Sequence, residues 1–107
     1  MSSPDVRVLY STFPSHKEAE AVAAELLDRN LIACANLFGE VRSVFRWEGK
    51  VASETEVIMI AKTAAEKLDE AISQLTQLHS YDCPCVTSWP VTAGNAEYLN
   101  WVGDEVK

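Results

Sequence analysis

Val41-Arg42-Ser43-Val44-Phe45-Arg46-Trp47, Glu48-Gly49 and the return from Lys50 to Lys62 form the stretch on which the fold turns. Val41, Ser43, Phe45 and Trp47 alternate with Arg42, Val44 and Arg46, which is the period of a β-strand. Glu48-Gly49 reads as a turn, with the glycine supplying a positive φ. The returning strand is apolar on both faces from Val57 to Ala61, so it belongs in the middle of a sheet. The hairpin is long for a small domain, and its outer part overhangs the body and exposes pairing edges. Isolated two-stranded ribbons are marginal in water, so this one is expected to pair with another subunit.

Working outward, Val6 to Tyr10 is a short β-branched run that ends at Ser11-Thr12-Phe13-Pro14. Ser15 stands three residues before Glu18, the spacing of a capping box, and opens a helix. Ala19, Val22, Ala23, Leu26 and Leu27 give that helix a core-facing stripe, and Asn30 suits its left-handed end. Thr63-Ala64-Ala65-Glu66 has a second capping-box spacing, before Leu68, Ala71, Ile72, Leu75 and Leu78 at helical intervals. Cys85 to Trp89 reads as a short strand stopped by Pro90. Asn95 caps a last helix that turns Tyr98, Leu99, Val102 and Val106 inward. The order β-α-β-β-α-β-α defines an α+β, ferredoxin-like split βαβ arrangement. It predicts an antiparallel sheet with helices on one face, in a single domain over residues 1–107.

The 107 residues are 48% hydrophobic and 23% charged, an ordinary globular composition. Nine basic against 16 acidic residues leave a formal charge of −7, which disfavours phosphate backbones and anionic lipid. The expected partners therefore exclude nucleic acid and membrane. The excess is concentrated after Thr63, with 2 basic against 7 acidic residues, and reads as a solvated face or as a field that attracts cations. The N-terminal residues have no basic start and apolar run of the secretory kind. Three cysteines, an odd number, argue against a disulfide framework. Together these predict a cytoplasmic protein.

No glycine-rich phosphate loop, Gly-x-Ser-x-Gly or His-Glu-x-x-His pattern occurs, and the chain has two histidines, His16 and His79. The densest chemistry is His79-Ser80-Tyr81-Asp82-Cys83-Pro84-Cys85. Cys83 and Cys85 fall on one side of an extended segment, and thiolate plus imidazole suits Cu(I) or Zn(II). The competing reading packs the thiols as small apolar groups and lets His79 end the helix. Cys34, within Ile32-Ala33-Cys34-Ala35, reads as a core residue. Glu54, Glu56 and Lys62 share a strand face near Trp47, as either a subunit ion-pair network or a ligand cleft. In the cleft reading Lys62 holds an anion, the carboxylates hold cations, and Tyr81 lies close by.

At these residues the chain resembles the divalent-cation tolerance family, CutA. The matching pieces are Ala33-Cys34-Ala35-Asn36, Ser43 to Lys50, Glu54-x-Glu56, Ile60 to Thr63, His79 to Pro84 and Tyr98 to Val102. The resemblance implies a homotrimer in which hairpin strands pair between subunits. It also implies a non-enzymatic role in tolerance to copper and other divalent cations, with no metal required for folding. Some bacterial members carry Cys where this chain has Ser11, and a His pair where it has Leu78-His79. Family members usually carry Glu where this chain has Cys85, so the metal set expected here is His79, Cys83 and Cys85. The alternative is a signalling or scaffold trimer that binds a small ligand in intersubunit clefts. A third reading uses His79 as a catalytic acid or base, with Tyr81 and Glu56 beside it.

Overall fold

A computed structural model describes residues 4–107. Its elements run β1 (Val6–Phe13), α1 (His16–Asp28), β2 (Cys34–Trp47), β3 (Lys50–Ala64), α2 (Ala65–Leu78), β4 (Val86–Pro90) and α3 (Ala96–Glu105). All strand pairs are antiparallel, in the order β2-β3-β1-β4. This is the α+β split βαβ topology expected from the sequence, and the doubly apolar β3 lies inside the sheet. Glu48 and Gly49 both have positive φ, 50° and 78°, as a tight two-residue hairpin turn requires.

Two helix starts follow the sequence reading, and one does not. Ser15 Oγ accepts from the Glu18 N–H at 3.2 Å, and Asn95 Oδ1 accepts from the Glu97 N–H at 3.0 Å. Thr63 caps nothing, because β3 continues to Ala64, and α2 starts there with no side-chain cap. Pairing of Val6 with Ala64 keeps this part of the chain extended and leaves the buried Thr63 Oγ1 without a partner.

Leu9, Phe13, Val57, Met59 and Ala61 meet Val22, Leu26, Leu68 and Leu75 in a core between the sheet and α1 and α2. A second cluster joins Val6, Ala33 and Ala64 to Leu99, Val102 and Val106 of α3. Strand parity puts Val6 and Ala64 opposite Leu9 and Ala61, so α3 covers the end of the other face. The expectation of helices on one face is corrected accordingly. Leu27 and Tyr98, both assigned inward, are instead 41% and 38% exposed.

The hairpin sets the shape of the molecule. β1 ends where Phe13 meets Val57, so the segment Lys50–Glu56 of β3 pairs with β2 alone. This ribbon stretches the chain to 50 × 26 × 22 Å, with a radius of gyration of 14.5 Å. A compact chain of this length has about 13 Å. Between Phe38 and Val41 the register shifts, with Gly39 and Glu40 facing Val57 as a β-bulge. Gly39 has φ 143°, and a Cβ there would sit 3.0 Å from the Glu56 carbonyl oxygen. The extra residue matters for the site, because one residue of slip moves a whole strand segment to the opposite face. With the bulge, Val41, Ser43, Phe45 and Trp47 share a face with Glu54 and Glu56.

Candidate functional site

His79 follows α2 as its C-cap, with its backbone N–H donating to the Leu75 carbonyl at 3.0 Å. Its side chain turns inward and is fully buried. Nε2 lies 2.7 Å from the Thr12 carbonyl oxygen, which can only accept, so Nε2 carries the proton. Nδ1 then accepts from the Tyr81 N–H at 3.1 Å. The ring stacks on Phe13 at 4.5 Å and meets Tyr81 at 4.8 Å. Both ring nitrogens are thus committed to main-chain groups, and neither is free for a metal or for proton transfer. The expected ligand set His79, Cys83 and Cys85 is not assembled, and His79 instead ties the loop after α2 to β1. Among the described residues no group of three His, Cys, Asp or Glu side chains converges to hold a metal. Nearby Glu18 is also occupied, since its Oε2 accepts from the Ser80 N–H and Oγ at 3.1 and 2.9 Å.

Cys83 and Cys85 are free and exposed. The Cys85 carbonyl accepts from Ser11 Oγ at 2.7 Å, so the serine at the resembled family's cysteine position anchors this segment. Burial, and then the Glu56 carboxylate, push the Cys85 thiol upward, which keeps it protonated. Cys83 and Cys85 both line a groove of about 760 Å³ between the loop and the overhanging hairpin. Tyr10 and Thr12 come from β1, Ser43, Phe45 and Trp47 from β2, and Ala52, Glu54 and Glu56 from β3. Tyr81, Asp82, Cys83 and Cys85 complete the lining from the loop, with Pro14 at the edge.

Glu56 is the unusual member, a charged residue only 7% exposed. Its Oε2 accepts from the Tyr81 hydroxyl at 3.0 Å. Burial, this hydrogen bond and the charges of Glu56, Glu54 and Glu18 push the Tyr81 phenol up to about 12, so it remains a neutral donor. Lys62 shares the strand face with Glu56, as predicted, but six residues of extended chain hold them about 20 Å apart. It lies opposite Cys34, with Nζ 5.9 Å from the centre of the Tyr98 ring. Cys34 is not a core residue, because its half-buried thiol lies 3.3 Å from the Tyr98 hydroxyl. That contact and burial push the Tyr98 phenol up to about 12. Glu54, Glu56, Trp47 and Tyr81 all line the groove, whereas Lys62 stands apart beside Tyr98. Tyr10, Thr12, Ser43, Phe45 and Ala52 also line the groove and were not singled out in the sequence. The parity of Ser43 and Phe45 with Trp47 was the available signal.

A split βαβ chain with an extended hairpin and an acidic, aromatic groove defines a ferredoxin-like α+β protein. The chain belongs to the CutA1 divalent ion tolerance protein family, whose model matches residues 7–105. The divalent-cation tolerance protein CutA of Archaeoglobus fulgidus is 41% identical over 99 residues, covering 92% of this chain and 96% of that one. The crystal structure of divalent ion tolerance protein CutA1 from Ehrlichia chaffeensis superposes with a TM-score of 0.93 at 32% identity, covering 99% of both chains. The Archaeoglobus fulgidus structure has a TM-score of 0.92 at 40% identity and covers 95% of this chain and 99% of that one. That protein is described as periplasmic, which overturns the expectation of a cytoplasmic location. The physical reason is that an odd cysteine count limits internal disulfides without fixing a compartment. Among the described residues no helix is long and apolar enough to cross a membrane.

Proposed function

We propose that the chain is a non-enzymatic, single-domain subunit of a homotrimer that acts in divalent-cation tolerance by holding a soft metal ion, copper foremost, at Cys83 and Cys85. The observation that carries this reading is the pair of free, exposed thiols on one groove wall, two residues apart. Two cysteine sulfurs suffice for Cu(I), which displaces their thiol protons as it binds, so His79 is not needed. Glu54, Glu56 and Asp82 add negative potential that draws cations into the groove. Assembly is supported by the ribbon formed where Lys50–Glu56 pairs with β2 alone, which leaves both edges open. Phe38, Phe45, Trp47 and Trp89 add apolar surface, each at least 39% exposed.

Competition titration with Cu(I) or Zn(II) tests the metal reading. Wild type is expected to bind at least about tenfold more tightly than the Cys83→Ser/Cys85→Ser double variant, and equal affinity overturns the assignment. A second reading, favoured by the size of the groove and its aromatic lining, is a trimer that binds a small organic ligand there.

A further inference from the structure

We propose that Cys83 and Cys85 are a redox pair that closes into an intrachain disulfide, so that the metal site at these residues exists only in the reduced protein. The consequence for metal rests on the metal reading above, whereas the disulfide stands on the geometry of the chain.

That geometry is local. Both cysteines are free, and only Pro84 separates them. Two residues of strand-like chain advance about 6.6 Å, at the upper end of the roughly 4.4–6.8 Å that a disulfide spans between Cα atoms. The chain bends at Cys83, which shortens the span. Both sulfurs come from one short segment, so the pair is the same in a single chain and in an assembly of chains.

The segment is pinned at its ends and free between them. Upstream, the Tyr81 N–H donates to His79 Nδ1 at 3.1 Å and its hydroxyl to Glu56 at 3.0 Å. Downstream, the Cys85 carbonyl accepts from Ser11 Oγ at 2.7 Å, and Val86 pairs with Ser11. Among the described residues no hydrogen bond within the chain involves Asp82, Cys83 or Pro84, so closure breaks none. The proline ring holds its own φ and reduces the freedom lost on closing. Cys34 cannot compete within the chain. It lies on β2 and Cys85 precedes β4, at opposite edges of the sheet. Three strand spacings, about 14 Å, separate them.

The oxidant is a low-molecular-weight disulfide such as oxidised glutathione. One cysteine thiolate attacks a sulfur of the oxidant, forming a mixed disulfide and releasing one molecule of reduced thiol. The second cysteine attacks the protein sulfur of that adduct, forming the Cys83–Cys85 bond and releasing a second thiol. Two protein thiols lose two electrons and two protons, and the S–S bond of the oxidant takes up both. A disulfide closed over so short a span is readily reduced, so excess thiol reverses the step. In the oxidised form neither sulfur is a thiolate, and a soft metal ion loses its ligands.

Treating the native protein with oxidised glutathione, then alkylating it and mapping its peptides by mass spectrometry, tests the inference. The expected product has lost two hydrogens per chain, carries an internal link between Cys83 and Cys85, and has Cys34 alkylated. Cys83→Ser and Cys85→Ser should each stop at the mixed glutathione adduct. A persistent mixed adduct in the wild type, a link between chains, or no reaction overturns the redox pair. Zn(II) competition, with a metal that does no redox chemistry, reads the consequence. The oxidised protein is expected to bind at least about tenfold more weakly than the reduced one, with affinity restored by dithiothreitol. Equal affinity of the two forms, once the disulfide is mapped, overturns the metal reading and its gating and leaves the redox pair standing.

Discussion

Tyr81 and His79 give the loop after α2 its chemistry, and neither behaves as its sequence neighbourhood suggests. An unfolded tyrosine loses its proton near pH 10, whereas folded Tyr81 keeps it to about 12. Between those values the folded state binds more protons, so the stability contributed by Tyr81 falls as pH rises through that window. Phenolate absorbance should show this late titration. In Glu56→Gln the midpoint should move down only part of the way, because burial is the largest cause of the shift. His79→Ala should cost about 2–4 kcal/mol in chemical denaturation, by opening a cavity beside Phe13 and orphaning main-chain partners. The same variant should keep Cu(I) affinity, since both ring nitrogens serve the backbone. The sequence shows a histidine at a helix end but not which way the ring turns. Its burial depends on Thr12 and Phe13, which lie more than 60 residues away. Cys34 was misread similarly, because its apolar neighbours conceal the strand parity that turns it toward Tyr98.

Periodicity serves the elements better. Alternation from Val41 to Trp47, the Glu48-Gly49 turn and the apolar run of β3 were enough to place the hairpin and the central strand. Local capping chemistry at Ser15 and Asn95 was legible because each bond closes within three residues. Thr63-x-x-Glu66 has the same spacing, yet pairing of β3 with β1 holds this segment extended, and tertiary structure overrides the local signal. The bulge at Gly39 was illegible for a related reason. A glycine in a strand does not say whether the partner strand is one residue shorter. Its consequence is large, because it decides whether Phe45 and Trp47 join Glu56 or face the opposite side. Gly39→Ala should lower the urea midpoint, with a cost of about 1–3 kcal/mol from the positive φ and the close Glu56 carbonyl.

At the scale of the molecule, the ribbon is the element that a single chain leaves paired on one side only. It exposes Val44 and Val51 at 68% and 72%, on a two-stranded extension with neither edge paired beyond its own hairpin. Such a ribbon gains order when neighbours add strands to it, and the groove at its base gains walls in the same step. Charge acts at this scale too. Each chain carries −7, so a trimer carries −21. Weak divalent binding should therefore decline with ionic strength, whereas binding at Cys83 and Cys85 should not. Location was the property least accessible from composition, because free thiols and an acidic surface suit more than one compartment. The central claim, that one subunit is a third of the working unit, is tested most directly by native mass spectrometry of the purified chain. Three chains of 11.8 kDa give a species of about 35 kDa that persists on dilution. A single species at 11.8 kDa would contradict the account.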